Sequence, residues 1–503
     1  MSDKDRVQES VARARSALSN RRDGLSAVQR ELLAKRLGGR LAAGAVERLA
    51  ESAGGPGGPG APADAAAFTA ILGQPPLDLA AEAVLDPAVG PALGAGATSP
   101  VCAGTGPAMA VAARELRDGT AGERLDAQPR GNMEPARVLL TGATGYLGAF
   151  LLAELLRQTR ATVVCLVRAG SAAEGAGRLR QNLVAHEVWD DAAKPRIEVQ
   201  LGDLAQPLFG LTAGEFAALG AGVDAIYHNG AWVHSAYPYS VLKAANVLGT
   251  QEALRLAFQS RIKPLHFVST LDVFFAPEYS RLPLIAEDDG LPYPDGPAIG
   301  YAQTKWVAER LVMEARRRGL PAAVYRFGRV SWHSRSGIWN ADDALRRVVD
   351  ACIELGAAPD IDVGLVLTPV DFIAGAIAGL SRTGGAAAKA FHLINPQAIS
   401  SYQLAGWMQA AGTPIAVVPA EEWLEAARAK LPEALLPNLA RLRALASSDV
   451  SGDDGLRREL DTRNAAAGLS AAGIVCPPIG QDSVRAYLAR HAAGAPAGSG
   501  AAA

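Results

Sequence analysis

The stretch that most limits what this chain can fold into is ARVLLTGATGYLGAFLLAELLRQ, which starts at Ala136. A short apolar run leads to Gly142, Gly145 and Gly148 in a GxxGxxG array, and an amphipathic helical pattern follows. Glycine permits a tight strand-to-helix turn, and the missing side chains let backbone N–H groups approach a pyrophosphate at the helix N-terminus. The array carries weight because it follows a strand and opens a helix. It assigns Gly142, Thr144, Gly145, Tyr146, Leu147 and Gly148 to a dinucleotide cradle.

The same texture continues downstream. ATVVCLVRA (161–169), IEVQLGD (197–203), DAIYHNGA (224–231), PLHFVSTLDVF (264–274) and AAVYRFGRV (322–330) read as strands, with helical stretches such as 240–259 and 301–318 between them. Strand and helix alternation on this scale predicts an α/β fold, a Rossmann-type doubly wound parallel sheet. FHLINP (391–396) reads as a late strand, and 400–494 as mostly helical with a loop at DVSGDDG (449–455).

At 503 residues the chain is long enough for roughly three domains. Residues 1–50 are charged and helical in pattern, with Leu25, Val28, Leu32, Leu33 and Leu37 on one face. Residues 51–135 contain SAGGPGGPGAPADAAA, which cannot pack and reads as flexible linker. The predicted organisation is then a Rossmann domain over 136–396, with 331–360 contributing to the substrate side, a smaller helical substrate domain over 397–494, and a low-complexity tail over 495–503.

Composition excludes several classes. Forty-nine basic residues against 51 acidic ones leave a net charge of −2, with no basic footprint for nucleic acid. Cys102, Cys165, Cys352 and Cys476 form no CxxC pair and no zinc spacing, so no metal is expected. The start is polar and no apolar run nears eighteen residues, which predicts a soluble, cytoplasmic protein with no membrane span.

The end of the second strand bears on which dinucleotide binds. An acidic residue there holds the ribose 2′-hydroxyl of NAD. This chain has CLVRAGS instead, with Arg168 and no carboxylate before Glu174. A guanidinium suits a 2′-phosphate, and Arg178 is one helix further on, so NADPH is the expected cofactor. Asp203 and Leu204 are expected beside the adenine, and Asn229, Gly230 and Ala231 along the cofactor groove.

Tyr301 and Lys305 share one helix face, one turn apart. An ammonium beside a tyrosine favours the phenolate and brings proton transfer nearer neutral pH. Hydride addition to a carbonyl makes an oxyanion, which a hydroxyl donor and a tyrosine acid can stabilise. The strand ending at Ser269 and Thr270 supplies that hydroxyl, and Thr270 is preferred.

TGATGYLG, the Ser-Thr strand end and the YxxxK helix together resemble the extended short-chain dehydrogenases/reductases. Closer still, they resemble the terminal thioester reductase domains of non-ribosomal peptide and polyketide synthases, relatives of the reductase part of carboxylic acid reductases. EAVLDP (82–87), PYSVLKAANVLGTQEALRLA (238–257), TPVDFIAGAIAGLS (368–381) and FHLINP are similar to further family blocks in the same order. The resemblance implies NADPH-dependent release of an acyl or peptidyl chain from a carrier protein's phosphopantetheine arm, as an aldehyde or on to an alcohol. It implies Thr270, Tyr301 and Lys305 as the catalytic set, and it adds Asn246 to the cofactor side.

No carrier signature and no adenylation domain are recognisable, so the resemblance implies that the acyl group arrives on another chain or from a larger synthase. The 1–50 helix is similar to docking segments of such assembly lines, or is a tethered helix without a partner. His234 reads as a substrate-side contact or, preferably, as a partly buried histidine. Trp332 and IWNADD (338–343) read either as gate residues or as packing between the domains. The alternative functions are an extended reductase for acyl-CoA, sugar nucleotides or ketones, and a non-catalytic NADP-binding sensor on the same fold.

Overall fold

The computed structural model of the chain describes residues 77–90, 134–234, 237–293, 295–383, 385–430 and 459–493. The 1–50 helix, most of the linker after it, the DVSGDDG loop and the 495–503 tail lie outside the described residues.

Seven strands build one sheet: β1 (Arg137–Thr141), β2 (Thr162–Val167), β3 (Ile197–Leu201), β4 (Ala225–His228), β5 (Leu265–Val268), β6 (Ala322–Arg326) and β7 (Ala390–His392). All pair in parallel, in the order β3-β2-β1-β4-β5-β6-β7. The order reverses between β1 and β4, and the crevice beyond their carboxyl ends is where such sheets bind ligands. Both faces are covered, so the strands are near-continuous apolar runs. Along β1, Leu139 faces one core while Val138 and Leu140 face the other, the period-two alternation of a pleated strand. On the second face lie α1 (Tyr146–Gln158), α2 (Ala172–Ala185) and, later in the chain, Val370–Ser381; the first face carries α3 (Gly300–Arg317).

The EAVLDP segment docks on that first face. Its short helix Leu79–Glu82 is capped by the Asp78 side chain, which accepts from Ala81 N–H at 3.0 Å. Leu79, Leu85 and Val89 are buried in the sheet's core. Arg318, at the end of α3, donates to the carbonyls of Asp86 and Val89 at 3.0 and 2.7 Å and to Leu85 at 3.2 Å. Arg255 pairs with Asp86 at 2.9 Å. Arg318→Ala removes the donor of all three carbonyls at once, and is expected to cost about 2–3 kcal/mol, charged-donor bonds being worth roughly that much. Hydrogen exchange over 79–90 checks this: the segment's amides should lose protection well before those of the sheet.

After β6 the chain leaves the sheet. Helices α4 (Ala344–Leu355), α5 (Val370–Ser381), α6 (Ser401–Ala410), α7 (Arg463–Ala472) and α8 (Gln481–Ala492) follow. A separate core gathers Trp332, Trp339, Val349, Leu367, Met408, Trp423 and Tyr487. The second lobe is therefore discontinuous, built from about 332–367, 399–427 and 479–488, while α5 and β7 return to the sheet. A single boundary at 396/397 does not follow the cores. Within the expected 397–494 domain, α7 packs on the Rossmann side through Ala465 and Leu469. Glu287 holds it there, accepting from Asn464 and Ala465 N–H at 2.5 and 3.0 Å and from His392 N–H at 2.8 Å. Among the described residues no helix is long and apolar enough to cross a membrane, and no three His, Cys or acidic side chains are grouped to hold a metal.

Candidate active site

The glycine loop sits at the switch between β1 and β4. Gly142 has φ +72°, and a Cβ there would stand 2.6 Å from the Cα of Gly230 on the neighbouring loop. Asn229 donates to the Gly142 carbonyl at 3.2 Å, and Gly230 N–H donates to the Thr141 hydroxyl at 2.8 Å. Behind them His228 is buried between two hydroxyls. Thr250 gives its proton to the Asn246 carbonyl, so it accepts from His228 Nε2–H at 3.1 Å, and Nδ1 accepts from Thr141 at 3.0 Å. Burial pushes the imidazole down to about 3, so it stays neutral and acts as a strand brace.

Gly145 caps α1 without a side chain, and no cap side chain bonds the N–H groups of the helix's first turn. An open helix N-terminus behind side-chain-free backbone fits a pyrophosphate. Asn182, buried on α2, props the loop from below by donating to the carbonyls of Ala143 and Gly145 at 3.1 and 3.2 Å. Sequence reasoning missed it, because a single amide inside a helix carries no pattern.

A groove of about 550 Å³ runs from this loop across the carboxyl ends of the strands. It is lined by Gly142, Thr144, Gly145, Tyr146, Leu147, Gly148, Arg168, Arg178, Asp203, Leu204, Asn229, Gly230 and Ala231, and further along by Thr270, Tyr301 and Lys305. Every site residue predicted from sequence is there except Asn246. That side chain is buried and bonded on three sides: its oxygen accepts from Trp232 N–H at 2.6 Å, and its nitrogen donates to the Trp232 carbonyl and the Thr304 hydroxyl. It ties the Trp232 backbone of the groove wall to Thr304 on α3. Tyr146 lines the groove with its ring only, since its hydroxyl donates to the carbonyls of Ser331 and Ile338.

At one end of the groove, Arg178 donates to the Arg168 carbonyl, which fixes the two guanidinium-bearing segments together. Glu174, the nearest carboxylate in sequence, accepts from Gly170 N–H at 2.9 Å. It is thereby committed to the loop backbone.

At the other end, Ser269 and Thr270 separate in role. The Ser269 hydroxyl donates to the buried Glu309 carboxylate at 2.5 Å, and Glu309 in turn pairs with the buried Arg326 at 2.6 Å. Thr270 accepts from Asp272 N–H at 3.1 Å, which leaves its own proton to donate. Lys305 donates to the Val268 carbonyl at 2.7 Å, and its ammonium lies 4.1 Å from the centre of the Phe267 ring. Burial pushes Lys305 down to about 7, a shift that the Glu309 charge opposes. The expectation of a phenolate favoured by Lys305 is corrected here. Burial, and then the charge of Asp272, push Tyr301 above its ordinary value, so it is a neutral phenol with a proton to give.

The groove also takes in Trp232, Val233, Phe327, Arg329, Asn340 and Asp343, none of them singled out as ligand contacts from sequence. Asn340 and Asp343 belong to IWNADD, whereas Trp339 of that segment and Trp332 stack edge to face at 4.9 Å inside the second core. The segment is thus divided, with Asn340 and Asp343 on the groove and Trp339 in the second core. His234 is half-buried in the groove wall, stacked on Tyr237 at 3.7 Å.

This site can be set beside known proteins. A family model described as "Male sterility protein", an NAD-binding family, matches residues 140–377. The chain is 47% identical over 291 residues to one component of the linear gramicidin synthase of Brevibacillus parabrevis, covering 57% of this chain and 6% of that one. It is 39% identical over 368 residues to the isonitrile lipopeptide synthase of Streptomyces coeruleorubidus, covering 72% of this chain and 25% of that one. The chain thus spans a quarter or less of these relatives. Against the crystal structure of the terminal R domain from the myxalamid PKS-NRPS pathway, identity is 40% with a TM-score of 0.68, over 83% of this chain and 98% of that one. The chain belongs to the terminal reductase (R) domain family. The fold, a Rossmann unit of an NAD(P)-binding family, matches that R domain structure, and the chain is an oxidoreductase.

Proposed function

We propose that this R domain is an NADPH-dependent thioester reductase that releases an acyl or peptidyl chain from the phosphopantetheine arm of a carrier protein as an aldehyde, with further reduction to an alcohol open to it. The observation that carries the reading is the content of one groove: an open glycine cradle, two arginines at its adenine end, and Thr270, Tyr301 and Lys305 beyond. NADPH, when bound, supplies the hydride. The rest falls to the chain's own groups. The glycine loop and the α1 N-terminus hold the pyrophosphate, Arg168 and Arg178 the 2′-phosphate, and Lys305 the nicotinamide ribose. Thr270 and Tyr301 donate to the oxygen of the thioester carbonyl as negative charge gathers there. Carbon–sulfur cleavage then restores a carbonyl and expels the pantetheine thiolate, which takes up a proton. The carrier that bears the thioester is the partner, and the cytoplasm is the setting.

Two measurements bear on the cofactor half. Arg168→Ala should lower the preference for NADPH over NADH by roughly 30–150-fold, the loss of a charge-assisted phosphate contact of about 2–3 kcal/mol; equal use of both cofactors by the wild type would contradict it. Lys305 has a lowered value, so its ammonium is present below about 7 and lost as pH rises through it. NADPH affinity of the free protein should fall roughly fivefold between about pH 6 and pH 8.5 beyond any fall seen in Lys305→Met, since a charged donor is roughly twice as strong as a neutral one. Identical slopes in the two proteins would remove Lys305 from cofactor binding.

The test of the function is incubation of the full chain with NADPH and a carrier-loaded or pantetheine acyl thioester, with the aldehyde trapped as an oxime. Cofactor consumption with a trapped aldehyde or an alcohol supports the reading. Turnover of ketones or sugar nucleotides, with thioesters left intact, overturns it.

A further inference from the structure

Beside the catalytic groove lies a second cavity, of about 120 Å³, in the second lobe between α4 and α6. Its inner end adjoins the groove. Arg329 lines both cavities, and Ala344, which opens α4 in this one, follows Asp343 of the groove. Its walls are apolar side chains, among them Val348, Val349, Leu404 and Met408. The few polar groups along it are already bonded within the protein. Ser401 donates to the Ile361 carbonyl at 2.6 Å and accepts from Val363 N–H at 3.1 Å, and Tyr402 donates to Asp360 at 2.6 Å. Cys352 is a buried thiol that burial keeps protonated, a small hydrophobe in effect. Apart from Arg329 at its inner end, then, the wall offers an occupant dispersion contacts and little hydrogen bonding. At the outer end Tyr402 and Val417 are 41% and 47% exposed, so the cavity opens to solvent past an apolar lip.

We infer that this cavity is the subsite for an unbranched aliphatic acyl chain, whose carbonyl stands at Thr270 and Tyr301 while its hydrocarbon runs past Arg329 between α4 and α6. The inference rests on the thioester reading above and narrows its substrate class. An apolar slot filled one methylene at a time gains specificity with each methylene until the chain reaches water. The open lip makes the dependence saturate: longer chains emerge past Tyr402 and Val417 and gain little more.

The test uses the full chain, NADPH and a series of acyl-pantetheine thioesters from acetyl to decanoyl, read as kcat/KM. For the wild type, kcat/KM should rise at least about tenfold from acetyl to hexanoyl and then level off. Ala344→Phe, placed at the inner mouth, should cut the hexanoyl-to-acetyl ratio by about tenfold. Met408→Ala, which widens the slot, should shift the levelling-off point to longer chains, and it keeps the test alive if the first variant folds poorly. A flat wild-type series with turnover throughout overturns the subsite and leaves thioester reduction standing. So does a loss in Ala344→Phe that is equal for all chain lengths, which would put the pantetheine arm in the slot. No turnover of any thioester by the wild type brings down the functional reading itself, and the subsite with it.

Discussion

Tyr301→Phe is expected to lower kcat for thioester reduction by about 10³-fold or more while NADPH still binds. General acid catalysis is worth roughly 10²–10⁴-fold and an oxyanion donor a further 10²–10³-fold, and this hydroxyl is proposed to serve as both. Tyr301 lines the groove on the first turn of α3, and its raised value keeps the phenol protonated throughout the range in which the enzyme can be assayed. The donor is therefore always present in the wild type and always absent in the variant. Phenylalanine retains the ring and the helix face, so NADPH titrated by fluorescence should report affinity within a few-fold of wild type. Retained turnover in the variant would move the proton donor elsewhere, with Thr270 the next residue to change.

Gly148→Ala should act at the opposite end of the same groove, and with comparable force on the cofactor. A Cβ at this position would overlap the Gly142 carbonyl and crowd the Ala143 Cα at 2.9 Å, so the loop must shift for the helix to form. Overpacking of this kind costs about 1–3 kcal/mol. The shift falls on the backbone proposed to hold the pyrophosphate, and a loss of about 3 kcal/mol there is roughly 100-fold in affinity. NADPH binding by calorimetry, alongside thermal unfolding, should show both losses. Wild-type affinity in this variant would mean that the cradle is not where the pyrophosphate sits.

The local signals were the ones the sequence could carry. The glycine array, the strand–helix alternation and the YxxxK spacing each lie within one turn or one strand–helix junction, where covalent neighbours set the geometry. All three map onto one groove. What could not be read depends on contacts between distant segments. Asn246 is a brace because Trp232 and Thr304 surround it, fourteen residues back and 58 residues on. Tyr301 keeps its proton because it is packed against groups that include Asp272, while Lys305 one turn away is drawn to the Val268 carbonyl. The helix α7 belongs to the Rossmann side because Glu287, 177 residues before Asn464, caps its start. The division of IWNADD between groove and core emerges only once the second lobe has closed around Trp332 and Trp339.

In the proposed reaction, hydride reaches a thioester carbonyl held by Thr270 and Tyr301. Its most direct test is one turnover of hexanoyl-pantetheine with NADPH carrying deuterium at the reactive C4 position, quenched into an oxime trap and weighed by mass spectrometry. Hexanal oxime with a single deuterium at C1 is expected, released together with one equivalent of free pantetheine thiol. Unlabelled aldehyde, or hexanoic acid as the sole product, would contradict it.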